Sequence, residues 1–301
     1  MAGARAERSQ PLACLALPAG MAAPQGIRVT GSGTGSDQMQ TNKIRPQPAI
    51  FFGHGSPGNV MEDNFITRTW ENLGREFGKP KGIICISAHW YTRGVRVTAG
   101  AHPGTIHDFG GFPKAMYDMR YPAPGSPALA AAIRERLAPL DVELDEERGF
   151  DHGSWCVLAK VFPEADVPLV QVGMDASLSP SRHFEIGKAL GAFRDEGYLL
   201  MGSGNIVHNL PEMDWQMRDG SYEWAGRFGD YIRGSIASDT PANLIDYTSQ
   251  NRDALLSVPH PDHYLPLLYV MGARRENDPV RFETPIVEYG SLDMTTVVVG
   301  G

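Results

Sequence analysis

From residue 48 onward the chain alternates short apolar runs with amphipathic stretches, and glycines or prolines mark the joins. PAIFFG (48–53) and GIICISA (82–88) are near-continuous apolar runs of strand length, the pattern of strands covered on both faces. VRVTA (95–99), VPLVQVGM (167–174) and YLLMGSG (198–204) read as further strands, and VRFETPIVEYGSLDMTTVVVG (280–300) supplies C-terminal ones. Between them, EDNFITRTWENLGREF (62–77) predicts a helix with Phe65, Thr69, Leu73 and Phe77 on one stripe, stopped by Lys79-Pro80. PGSPALAAAIRERLAPL (124–140) predicts another, with Ser126 as N-cap, Pro127 at the first helical position and Pro139 near its stop. SPSRHFEIGKALGAFRDEG (179–197) predicts an amphipathic helix opened by Ser179 and Pro180 and closed by Gly197, and two or three helices fill 222–272. Strands alternating with helices specify an α/β domain whose central sheet, mainly parallel or mixed, is flanked by helices. In such open sheets the ligand site lies beyond the carboxyl ends of the strands.

The first 46 residues break this pattern. They are rich in Gly, Ala, Ser and Pro, contain no aromatic residue and hold no sustained period, so a disordered extension is expected at 1–46 ahead of a catalytic domain at 47–301. Met39 is an alternative start. LACLALPAGMAA mimics the apolar part of a secretory signal, but Pro11 precedes it, Pro18 interrupts it and its charged flank is mixed in sign.

Composition narrows the class. With 42% hydrophobic and 21% charged residues in 301, the chain suits a globular protein with a sizeable core. No apolar run approaches the roughly 20 residues of a membrane span. The first 45 residues hold Arg5, Arg8, Arg28, Lys43 and Arg45 against Glu7 and Asp37, so the rest carries 22 basic (27 − 5) and 33 acidic (35 − 2) residues, net −11. Such a body repels nucleic acid and anionic membranes, and neither is expected as a partner. Cys14, Cys85 and Cys156 are few and widely spaced, which fits reduced thiols of a cytoplasmic protein better than a disulfide framework.

The candidate chemistry lies in nine histidines, none before residue 54. His54 follows PAIFFG, His89 follows GIICISA and His208 trails YLLMGSG, so three histidines stand at carboxyl ends of predicted strands. His152 lies in GFDHGSW, and His260 and His263 lie in PHPDHYLPLLYVMGA, where His263 opens an apolar helix. A lone histidine is more often structural than a ligand, whereas several converging on one sheet edge suggest a metal centre, because neutral imidazole is the commonest protein ligand. Gly53 and Gly55 would let the backbone bend around His54 and leave room for substrate, with Ser56 and Asn64 as outer partners. The spacing is not that of a zinc finger and there is no HExxH, so the metal is not legible from a motif. His102 lacks context and is expected at the surface, and His183, inside a helix, is expected to be structural.

GHGSP, SAHW, TIHDFGGFP, YPAPGSP, GFDHGSW, GSGNIVHNL and PDHYLPLLYVMGA occur in this order, and together resemble the motifs of the 4,5-DOPA extradiol dioxygenases, a group within the class III (LigB-type) ring-cleaving dioxygenases. The resemblance runs from about residue 48 to the C-terminus. It implies a LigB-like single-domain α/β fold and one non-haem metal, Fe(II) for catalysis, with Zn(II) sometimes in its place. It also implies a catechol such as DOPA and O2 as the small-molecule partners and a semialdehyde product; the sequence itself is compatible with a monomer or a homodimer. Carried over motif by motif, it makes His54, His89 and His263 metal ligands, with His263 where related enzymes place a glutamate. His208 becomes the acid/base residue and a possible fourth ligand. His152 becomes a second pocket histidine acting in catalysis and substrate binding, and His107, in an aromatic and glycine-rich loop, a substrate contact. The rival reading is a zinc-dependent hydrolase or lyase on the same histidines, with Asp151 or Asp262 as base.

Overall fold

A computed structural model describes residues 45–250 and 252–301, which belong to one folded unit. The N-terminal extension expected at 1–46, with Cys14, lies almost wholly outside the described residues. The strands, in chain order, are β1 (Ala49–Gly53), β2 (Gly82–Ser87), β3 (Tyr91–Thr92), β4 (Val95–Thr98), β5 (Val142–Asp145) and β6 (Leu169–Asp175). They continue with β7 (Tyr198–Gly204), β8 (Val280–Glu283), β9 (Val287–Glu288), β10 (Leu292–Asp293) and β11 (Thr296–Val299). The central sheet runs β5-β4-β6-β2-β7-β1-β11-β8, β3 pairs with the end of β6, and β9 and β10 form a separate ribbon.

The sheet is mixed. Its middle, β6-β2-β7-β1, is parallel, while β4 and β11 join it antiparallel. The apolar runs explain this centre: every residue of β1 and β2 is buried, as strands covered on both faces must be. Register then aligns the strand ends. Gly53 pairs with Gly204 and Ser87 with Ser203, so the residues after β1, β2 and β7 emerge side by side.

Helix α1 (Phe65–Phe77) starts later than the apolar pattern suggested, because Asn64 and Thr67 form a reciprocal capping box. Its buried face includes Ile66 and Trp70 together with Thr69 and Leu73 of the predicted stripe, whereas Phe65 is 62% exposed. The short α2 (Lys114–Asp118) is followed by α3 (Pro127–Arg136), which begins as expected, with the Ser126 hydroxyl accepting from Leu129 N. Helix α4 (His152–Val161) is capped by Asp151, and α5 (Pro180–Leu190) runs into a 3-10 turn closed by Gly197 in the left-handed conformation. Among the described residues of 222–272 there are four α-helices rather than two or three: α6 (Glu223–Ala237), α7 (Pro241–Ile245), α8 (Arg252–Ser257) and α9 (Leu265–Gly272). Helix α9 is buried along its whole length, and Gly187 and Gly272 let it cross α5 closely, since a Cβ at either would meet the other backbone at 2.3 and 2.1 Å. Among the described residues no helix is long and apolar enough to cross a membrane. Cys85 and Cys156 are buried free thiols, in line with the sequence reading.

Candidate metal centre

Where the parallel strands end, three imidazoles meet. Donor atoms of His54, His89 and His263 all lie within 4.8 Å of one another, and the Nε2 atoms of His54 and His89 face each other at 3.3 Å. His54 comes directly off β1 and its N–H donates to the Gly204 carbonyl, while Ala88 N–H donates to the Ser203 carbonyl and so carries His89 in from β2. His263 ends a 3-10 turn ahead of α9, and its carbonyl accepts from Asn205 N–H at the end of β7. Three elements distant in sequence are thus pinned to one strand end.

Proton inventory fixes which nitrogen His54 and His263 offer. The Ser203 hydroxyl has a single proton, and it donates to the Gly153 carbonyl. Its contact with His54 Nδ1 at 2.9 Å must therefore be accepted from an Nδ1–H, which leaves the His54 Nε2 lone pair pointing at His89. His263 Nδ1 contacts Asp262 Oδ1 at 2.9 Å, which holds the same tautomer. Burial, reinforced by the neighbouring histidines, keeps His54 and His263 far below the ordinary imidazole range, and burial followed by charge repulsion from His152 puts His89 at about 4. All three rings are neutral; His54 and His263 have their outer nitrogens tied to acceptors, and His89 Nδ1 faces Asp108 Oδ2 at 3.7 Å, which together make a donor set suited to a metal ion. The residues fit the ion.

His208 stands beside this trio rather than within it. Its ring stacks on His263 with centroids 3.5 Å apart and planes 4° from parallel. Its backbone is held by the Ser257 carbonyl and by a bridge to Leu292, and burial lowers its pKa to about 4. His152, the first residue of α4, lies with its ring 3.8 Å from that of His89, and Asp108 accepts from both its Nδ1 and its backbone N–H. Burial alone would raise Asp108, but the His152 contacts outweigh it and hold the carboxyl at about 2. His107 is one layer further out. It packs on Trp155 and Phe109, and its Nε2 meets the Met119 carbonyl at 3.0 Å. His102 is exposed, and His183 is buried against Tyr269, as expected of bystanders. A cavity of 660 Å³ lined in part by His89, Trp90, Tyr91 and Arg148 opens beside the centre.

The sequence reading erred on the neighbours of His54. Ser56 caps the 3-10 turn that follows and Asn64 caps α1, so neither bonds the His54 ring; Asn64 reaches the histidine only through Asn59, whose Nδ2 donates to the His54 carbonyl. Gly53 and Gly55 leave no room for substrate: their open sides are filled by the backbone of Asp293–Thr295 and by the Met294 side chain. The partners that matter, Ser203, Asp108 and the buried Asp151, carried no local signal. Asp151 is fully buried, accepting from Ser87 Oγ, Gln171 Nε2 and Arg148 Nη2, and Ser87 in turn accepts from His89 N. Asp151 also accepts from Ser154 N, so its oxygens are spent on holding the fold, while Asp262 contacts His263 Nδ1 at 2.9 Å and lies 3.2 Å from His260 Nδ1.

Comparison with known proteins agrees with this geometry. Residues 50–300 match the family model described as the catalytic LigB subunit of aromatic ring-opening dioxygenase. The chain is 50% identical over 257 residues to the 4,5-DOPA dioxygenase extradiol of Escherichia coli K12, covering 84% of this chain and 94% of that protein. It is 35% identical over 252 residues to the 4,5-DOPA dioxygenase extradiol of Portulaca grandiflora, covering 81% and 92%. A crystal structure of an uncharacterized Escherichia coli K12 protein superposes with a TM-score of 0.75 at 44% identity, covering 84% of this chain and all of that one.

Proposed function

The chain belongs to the LigB family of aromatic ring-opening dioxygenases, and from that premise we propose that it cleaves a catechol such as DOPA beside the diol, consuming O2 and releasing a semialdehyde of the 4,5-seco-DOPA type. The observation that carries this reading is the convergence of three neutral imidazoles, His54, His89 and His263, with inward-facing donors. They would hold one non-haem ion, Fe(II) in the working enzyme and Zn(II) as a redox-silent substitute. Once bound, that ion supplies the Lewis acidity and redox chemistry through which catechol and dioxygen react.

The protein's own residues divide the remaining work. Ser203 and Asp262 keep Nδ1–H on His54 and His263, so these rings stay oriented without substrate. His208 is kept neutral by burial and is stacked on His263, which suits it to take a catechol proton and to return one as the ring opens. His152, pinned beside His89, presents its Nε2 to a substrate hydroxyl, and His107 with Phe109 shapes the loop that covers the planar ring. The names of the similar proteins support DOPA as the first substrate to try.

The test is anaerobic reconstitution with Fe(II), followed by oxygen uptake and absorbance on DOPA, caffeate and protocatechuate. Iron-dependent uptake of one O2 per catechol, with a new semialdehyde chromophore, is expected. Absence of uptake with all three would overturn the reading.

A further inference from the structure

The loop at 105–113 delivers a carboxylate that the reaction outlined above does not use. Asp108 Oδ1 lies 3.0 Å from the backbone nitrogen of His152 and 2.9 Å from its Nδ1. A backbone N–H can only donate and a carboxylate can only accept, so one oxygen takes both protons and Nδ1 must carry its own. Two bonds from a single residue to a single atom also prevent the imidazole from turning. The remaining nitrogen, Nε2, has no hydrogen-bond partner among the described residues. The loop is held in place before any substrate arrives: Trp155 Nε1 donates to the Ile106 carbonyl at 2.8 Å, Phe109 packs on His152, and Thr105 bridges to Phe150.

We propose that Asp108 is a positioning residue that locks His152 in its Nδ1–H tautomer, so that Nε2 meets a catechol hydroxyl as an acceptor. The inference rests on the pocket role proposed for His152. His89, Asp108 and His152 also bring donor atoms within 4.8 Å of one another, but an Nδ1 proton already lies between two of them, so the cluster is a hydrogen-bonded couple rather than an ion cage.

The variants Asp108→Ala, Asp108→Asn, His152→Ala and the double Asp108→Ala/His152→Ala separate the possibilities at equal metal content. In Asp108→Asn the His152 backbone N–H obliges the amide oxygen to face both donors, so the tautomer survives and kcat should stay within about threefold. Asp108→Ala should lose about 10- to 100-fold in kcat, the usual cost of removing an outer partner. The double variant should equal His152→Ala within about twofold. Long-range 1H–15N spectra of the zinc-loaded protein read the tautomer directly, with His152 assigned by its loss in His152→Ala. The Nδ1–H pattern is expected in the parent and in Asp108→Asn, and a mixed or Nε2–H pattern in Asp108→Ala. Wild-type kcat in Asp108→Ala, additive losses in the double variant, or an Nε2–H His152 in the parent protein would each overturn the proposal, the last even if Asp108→Ala failed to fold. Full activity in His152→Ala would overturn it differently, by removing the pocket role itself.

Discussion

Replacing Ser203 by alanine tests how the metal centre is organised. The hydroxyl is fully buried in β7, accepts from His54 Nδ1–H and donates to the Gly153 carbonyl. Its loss leaves a buried donor and a buried acceptor unpaired, at about 1–3 kcal/mol each, while the vacated volume is a single oxygen. His54 has an escape. Its proton can move to Nε2 and bond to His89 Nε2, 3.3 Å away, which partly repairs the metal-free protein but removes the inward lone pair. The folding penalty should therefore come to about 2–4 kcal/mol, less than the roughly 6 kcal/mol that the two groups could cost together, and metal binding should weaken further. A loss of 10- to 100-fold in metal affinity, about 1.4–2.7 kcal/mol, is expected for an outer partner of this kind. Urea midpoints of the metal-free protein and zinc titration against a competing chelator measure the two effects separately. If Ser203→Ala bound zinc with wild-type affinity, the tautomer argument for His54 would be refuted, whatever happened to its stability.

Three other perturbations probe the surrounding architecture. His208→Ala should retain its metal but lose about 10²- to 10⁴-fold in kcat, whereas His54→Ala should lose both; an active His208→Ala enzyme would end the acid/base assignment. Gly204→Ala would drive a Cβ to 2.1 Å from the His263 carbonyl, which is held by Asn205 N–H, so a stability loss of about 1–3 kcal/mol and weaker metal binding should appear in urea and chelator titrations; an unchanged urea midpoint would contradict this. Burial puts His183 at about 4, below its ordinary 6.5, so the unfolded chain takes up a proton that the folded one refuses and stability falls as pH drops through that window. His183→Gln, which can still bond Tyr269, should therefore lose about 2 kcal/mol less than the parent between pH 7 and pH 5 in urea titrations, and parallel pH dependences would remove this histidine from the account.

Much of the fold was legible because it follows from local rules. Unbroken apolar runs at 48–53 and 82–88 can only be satisfied in the middle of a covered sheet, and both became central parallel strands. Ser126 and Asn64 acted at helix starts as short polar side chains do, although Asn64 had been read as a partner of His54. Errors arose where burial depends on what lies opposite. On α1, Thr69 and Leu73 are buried as read but Phe65 is not, since only packing against α4 and, through Trp70, against Phe52 of β1 decides between Phe65 and Ile66.

At the site, the sequence determined that histidines would stand at the carboxyl ends of strands, because that placement is written in the order of apolar runs and in the ordered motifs. Tertiary structure alone decided which of them share a centre and which nitrogen each presents. His54 takes its tautomer from Ser203, 149 positions away, and His152 from Asp108, 44 positions away, while the pairing of Gly53 with Gly204 brings the strand ends level. A hydroxyl or carboxylate leaves no local pattern that says whose proton it will accept, so those assignments exist only once the chain has closed on itself.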